Sequence, residues 1–81
     1  MMKTFAAVVI DVAVLCEFTG PDLLDEDTAV PMLEGLASRL GDMDDAERAG
    51  LAAEFTELSH QYTRSDIADF VRGLPHSLGL V

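Results

Sequence analysis

Two histidines, one cysteine and fifteen carboxylates are the side chains of this 81-residue chain that could hold a metal or attack a substrate. A metal site needs several ligands gathered in one place. His60 and His76 are far apart, and neither has a second His or a Cys at ligand spacing. A solvated polar position is expected for His60, near Glu57, and a turn position for His76, after Pro75. The Asp-rich stretches do not make a calcium loop. A twelve-residue loop starting at Asp25 sets Asp27 well at position three, but puts Val30 where Gly is required and Leu36 where a bidentate Glu is required.

Nucleophilic chemistry fares no better. The chain lacks a Gly-x-Ser-x-Gly turn, a Gly-rich phosphate loop and a Cys-x-x-Cys pair. Cys16 is alone, so it forms no internal disulfide, and it lies in an apolar run as a small buried hydrophobe. Its nearest charges, Asp11 and Glu17, disfavour the thiolate that reactivity needs. The carboxylates sit in polar runs, where nothing raises one of them into the range of an acid catalyst. A phosphopantetheine carrier needs Asp-Ser-Leu at a helix start. Ser65-Asp66-Ile67 has the order wrong, and His76-Ser77-Leu78 lacks the Asp. The expectation is a non-enzyme that uses no cofactor and no metal.

What remains is charge. Fifteen acids stand against five Lys and Arg, a formal net charge of −10. Such a field repels nucleic acid and anionic membrane surfaces. It attracts a basic protein partner and speeds encounter with it. Asp22, Asp25, Glu26 and Asp27 form one acidic group, and Asp42, Asp44, Asp45 and Glu47 form another. Both groups fall where helices should begin, so part of each serves the helix dipole, at about 0.3–1 kcal/mol per contact. Capping uses one or two acids per helix end, and each group has four. These eight residues are therefore the candidate partner-binding set. They are expected at the two ends of one helix, as two acidic poles or an acidic ridge and not as one pocket.

The elements that position them read as an all-α fold. Its expected form is one domain over 1–81, a small bundle of three to four antiparallel helices at about 4–18, 27–40, 45–62 and 66–72, with an apolar C-terminal tail. In the first helix the β-branched run Val8-Val9-Ile10 favours strand, but about fifteen residues without a breaker favour helix, with Phe5, Val8, Val12, Leu15 and Cys16 as its apolar face and Asp11 in water. Thr19-Gly20-Pro21 ends it, and Leu23 and Leu24 are expected to anchor the following loop.

The second helix takes Asp25 or Asp27 as its cap. Its face is Val30, Leu33, Ala37 and Leu40, widened by Met32 and Leu36, and Gly41 closes it. Pro31 fits easily only in a first turn. Asp44-Asp45-Ala46-Glu47 has the pattern of a capping box, and Leu51, Phe55, Leu58 and Tyr62 then share one face. Ser65 is expected to cap a short last helix, with Ile67, Phe70 and Val71 inward. Gly73 is read as its stop and Pro75 as what ensures the stop, before a tail of Leu74, Leu78, Leu80 and Val81 that packs back on the body.

Asp11 interrupts the N-terminal apolar run and no small-residue cleavage site follows, which argues against a signal peptide; the run is also too short to span a bilayer. The cytoplasm is the expected compartment. Nearly half the residues are apolar, so a chain of this size leaves some of them exposed, and a homodimer is one way to cover them.

The stretch from Asp22 to Leu51, containing LLDEDTAVPMLEGLASRL and DMDDAERAGL, looks like small bacterial helical proteins, as does the ending FVRGLPHSLGL. In size, acidity and lack of catalytic parts the chain resembles immunity proteins, which neutralise secreted bacterial toxins in the cytosol. That resemblance implies a toxin domain with a basic cleft as partner, in which Asp and Glu stand in for phosphates and exposed Leu or Phe anchor the contact. The alternatives are a small regulatory or scaffold subunit, homodimeric through the apolar first helix or the Leu-rich tail, and, more remotely, a carrier protein or enzyme.

Overall fold

The computed structural model describes residues 2–20 and 22–81. Four α-helices follow one another: α1 (Met2–Phe18), α2 (Glu26–Leu40), α3 (Asp45–Ser59) and α4 (Ser65–Ser77), with no strand among the described residues. One hydrophobic core draws on all four. The all-α reading holds, and the β-branched run in α1 is helical. The part expected of Pro21 in ending α1 lies outside the described residues.

The core is built on the inner seam of α1: Ala6, Val9, Ile10, Ala13 and Cys16. Ile10 is fully buried, as are Leu51 and Phe55 of α3 and Val71 of α4. Each such aliphatic or aromatic side chain contributes about 1.5–3 kcal/mol when removed from water. The expected face of α1 was a different one. Phe5, Val8 and Leu15 are exposed, Val12 is half-buried, and only Cys16 of that set is inside. The reason is that α1 is apolar nearly all round, so its spacing supports more than one stripe. The seam with Ala6 and Ala13 is the one turned into the common core, where small side chains suit close helix packing. Asp11 is exposed as expected.

Helix α2 has a thin hold on the rest. It packs against α1 and hardly touches any other helix. Ala29 and Leu40 are its buried residues, while Leu33, Leu36 and Ala37 are half-buried against the core. Val30 and Met32, expected inside, are exposed. Pro31 lies beyond the first turn and faces solvent, so water can serve the Asp27 carbonyl that its missing N–H leaves unpaired. Gly41 caps α2 in a right-handed conformation. In the preceding loop the amides of Leu23 and Leu24 both donate to the Gly20 carbonyl. That tight turn throws Leu23 outward, 87% exposed, and only Leu24 is drawn partly in.

Helix α3 carries Leu51, Phe55 and Leu58 inward as its spacing predicts, but it ends at Ser59 and not at Tyr62. The amides of His60, Gln61 and Tyr62 donate to the carbonyls of Glu57, Leu58 and Ser59, which tightens the last turn out of α-geometry. Tyr62 is half-buried beyond the helix. Its hydroxyl titrates above the ordinary range, first because burial disfavours the phenolate and then because Asp11 of α1 adds negative charge.

The last helix departs most from expectation. Its N-cap position is Arg64, without a side-chain capping bond, and Ser65 is already helical. The Asp66 carboxylate instead accepts the Ile67 amide at 2.8 Å. Neither Gly73 nor Pro75 stops the helix, which runs to Ser77 with Leu74 and Pro75 buried. The stop is Gly79, at φ +71°. The Gly79 amide donates to the His76 carbonyl and the Leu80 amide to the Pro75 carbonyl, which is the Schellman arrangement with its apolar closure, since Leu80 is buried beside this turn. Leu78 and Leu80 pack back as expected, but Val81 is exposed. Burial of Leu74 and Leu78 on the α4 face drives the helix through Gly73, which has open space where a Cβ would stand.

The two glycines therefore behave oppositely. Gly73→Ala, in an exposed helix interior, stabilises the protein by about 0.5–1 kcal/mol. Gly79→Ala, forced to a left-handed backbone, destabilises it by about 1 kcal/mol or more. Urea unfolding followed by circular dichroism measures both. A loss of stability in the Gly73 variant would restore that residue as the helix stop.

Candidate functional site

The eight candidate acids all stand on the surface, and the helix starts explain where. Asp25 is the N-cap of α2, its carboxylate accepting the Thr28 amide at 2.9 Å. Glu26 and Asp27 occupy the first turn of the same helix, next to its unpaired amides. Asp22 lies in the loop before them. Asp44 is the N-cap of α3, accepting the Glu47 amide at 2.8 Å, while the Asp44 amide donates to the Glu47 carboxylate at 3.2 Å. The expected capping box is present. Asp45 pairs with Arg48 one turn on. Asp42 lies in the connection that precedes Asp44.

Local structure thus accounts for Asp25, Asp44, Asp45 and Glu47. Among the described residues, Asp22, Glu26, Asp27 and Asp42 make no side-chain hydrogen bond or ion pair. The structure does not gather the eight into one place. One group begins α2 and the other follows its end, so they are on the order of 20 Å apart at 1.5 Å per helical residue.

The cations are mostly occupied. Arg48, Arg64 and Arg72 pair with Asp45, Asp66 and Asp69 respectively. The Arg64 guanidinium holds the Asp66 carboxyl below its usual range and is itself raised in return. It also lies 5.9 Å from the Phe18 ring centroid, and Phe18 meets Phe70 edge to face at 5.3 Å. These contacts tie the end of α1 to the start of α4. Exposed pairs of this kind add little stability. They do neutralise the arginines, so the field around the molecule is set by carboxylates.

Little in this arrangement supports bond-making chemistry. Cys16 is buried and lines a cavity of about 360 Å³ under the α1–α2 connection, together with Gly20, Leu24, Ala29, Val30 and Leu33. The ionisable groups at that cavity besides Cys16 are Glu17 and Glu26, which offer a thiol no activating base. His60 and His76 are both exposed. No cluster of three His, Cys, Asp or Glu close enough to hold a metal ion occurs among the described residues, and no described helix is long and apolar enough to cross a membrane.

Of two further features, the first was read in the sequence as the apolar face of α1, and the second was not read at all. The exposed row Phe5, Val8 and Leu15 runs along the outside of α1, spaced as one helix face. The other is a pair of carboxylates, Glu17 and Glu34, that border a furrow between α2 and α4. Glu34 follows Leu33 on a helix whose inward face was visible in the sequence, so its place at the edge of that face could have been inferred. The furrow itself needs the splay of two helices, which no local pattern encodes. No known protein family, curated protein or solved structure matches this chain.

The acids divide by experiment. Asp44→Ala removes the α3 cap and costs about 1 kcal/mol. Asp42→Asn, two residues away, changes stability by less than about 0.5 kcal/mol. Thermal unfolding of the two variants measures the difference, and equal losses would mean that Asp42 also serves the fold.

Proposed function

We propose that this protein is a non-catalytic acidic binding protein of the cytoplasm, an immunity-type protein that neutralises a cognate bacterial toxin by occupying its basic active-site cleft. The observation that carries this reading is the surplus of carboxylate: Asp22, Glu26, Asp27 and Asp42 are exposed at the ends of α2 and bond to nothing in the fold. A toxin acting on nucleic acid or nucleotides presents cations where phosphates bind. Carboxylates on a helical body can meet those cations in place of phosphate. The charge also sets the kinetics, because a net −10 steers a basic partner into encounter and the effect fades with salt. The resemblance in size and acidity to immunity proteins supports the same reading.

A second reading, a small homodimeric regulatory or scaffold subunit, draws on the exposed apolar row of α1. Against it, two copies each carrying −10 repel one another at low salt.

The test begins with capture of the partner from the native host and measurement of association by stopped flow. The expected partner is a basic protein whose enzymatic activity the chain abolishes. Reversing Asp22, Glu26, Asp27 and Asp42 to Lys slows association about tenfold or more at low salt, and the difference closes at high salt. Turnover of a substrate by the purified chain alone, a partner that is DNA, or an unchanged association rate would each overturn the proposal.

A further inference from the structure

The furrow between α2 and α4 has the build of a helix-docking site. Helix α2 rests on α1 and α4 rests chiefly on α3, and the two hardly approach one another, which leaves a channel of about 260 Å³. Its α2 wall is the half-buried Leu33 and Ala37, and on the α4 side the half-buried Phe70 stands beside Leu74 and Leu78, which are buried and form the floor. Both walls therefore repeat at four-residue steps. Rows of that spacing are the ridges against which another helix packs. The volume falls short of the roughly 300–1,000 Å³ typical of a small-molecule site. It suits side chains reaching down from a segment laid along the surface.

The occupant's charge is set by what borders the channel. Glu17, at the end of α1, and Glu34, on α2, are both exposed at its edge, and neither Lys nor Arg lines it. A second copy of the chain would bring a net −10 to these carboxylates. A cationic helix brings the complementary sign, with Lys stems lying on the apolar walls and their ammonium heads reaching the carboxylates.

We propose that the α2–α4 furrow receives a basic amphipathic helix of the partner protein, apolar side chains seated between Leu33–Ala37 and Phe70–Leu78 and flanking Lys or Arg on Glu17 and Glu34. This rests on the binding-protein reading above and adds to it a second contact, along the flank of α2, whose edge residue Glu17 also borders the α1–α2 cavity with Glu26 of the first acidic group. Docking there also completes the packing of α2, whose half-buried Leu33 and Ala37 gain a second neighbour.

The probe is a synthetic helical peptide with Leu on one face and Lys flanking it, its Leu/Glu counterpart serving as control, with binding read by fluorescence anisotropy. The Leu/Lys peptide binds and the Leu/Glu peptide does not. Glu17→Gln with Glu34→Gln raises Kd about fivefold, the order expected of two exposed charge pairs. Asp22→Asn with Asp42→Asn, which removes equal charge elsewhere, raises it less than about twofold. Ala37→Trp fills the channel and abolishes binding, with circular dichroism checking that the variant is folded. Equal weakening by the two double variants would remove the furrow as the site and leave the basic-partner reading standing. Failure of the Leu/Lys peptide to bind, equal binding of the Leu/Glu peptide, or self-association of the chain that Ala37→Trp abolishes would each overturn the proposal.

Discussion

Everything in this fold hangs on the seam of α1. It is the one helix that packs against all three others, and its buried row of Ala6, Val9, Ile10 and Ala13 sets how closely they come. Alanine at two of those places suits close helix packing, and Leu51 and Phe55 seal the centre. The most extensive helix–helix contact is between α3 and α4. The consequence is an asymmetric body, with α3 packed on both α1 and α4 and α2 resting on α1. A chain of this length buries only roughly 60% of its unfolded surface, so some apolar surface must remain outside. Here it remains on the outer row of α1 and along both flanks of α2.

The charge follows a comparable division. Helix starts attract carboxylates, because the first amides of a helix lack partners and the dipole is positive there. Asp25, Asp44 and Glu47 answer that need through hydrogen bonds seen in the structure. Arginines answer Asp45, Asp66 and Asp69. Glu26 and Asp27 answer only the dipole of α2, without a hydrogen bond, and Asp22 and Asp42 answer neither, so these carboxylates enlarge a negative field whose self-repulsion works against compactness. The proposed function is one that uses this field. A cationic partner would find long-range attraction at both ends of α2 and an apolar channel with carboxylate edges along one of its sides.

Much of this was legible in the residues themselves. The capping box at Asp44–Glu47 and the steps Leu51, Phe55 and Leu58 appear where local rules put them, because both depend on neighbours within one helical turn. The eight surface acids were legible for the same reason. What failed was everything set by distant contacts. The α1 sequence supports several apolar faces, and only packing into the common core chooses among them. Gly73 and Pro75 read as a stop because their local preference is against helix, but burial of Leu74 and Leu78 outweighs about 1 kcal/mol of glycine propensity, and the terminator lies farther on at Gly79. Leu23 read as an anchor because it is apolar, and a turn closed on the Gly20 carbonyl points it outward. Glu17 and Glu34 were not read as a pair because what brings them to one furrow is the gap between two helices that scarcely meet.

The central claim is that α2 is held chiefly by α1 and is the most weakly attached of the four helices. Native-state hydrogen exchange, read amide by amide, measures this directly. The account predicts that amides in the middle of α2, from Leu33 to Ala37, open at a clearly lower free energy than those of Ile10, Phe55 and Val71, which exchange only when the whole molecule unfolds. If the α2 amides share the protection of the α3 amides, the second helix is an integral part of the core, and the reading of its flank as a place kept open for a partner is wrong.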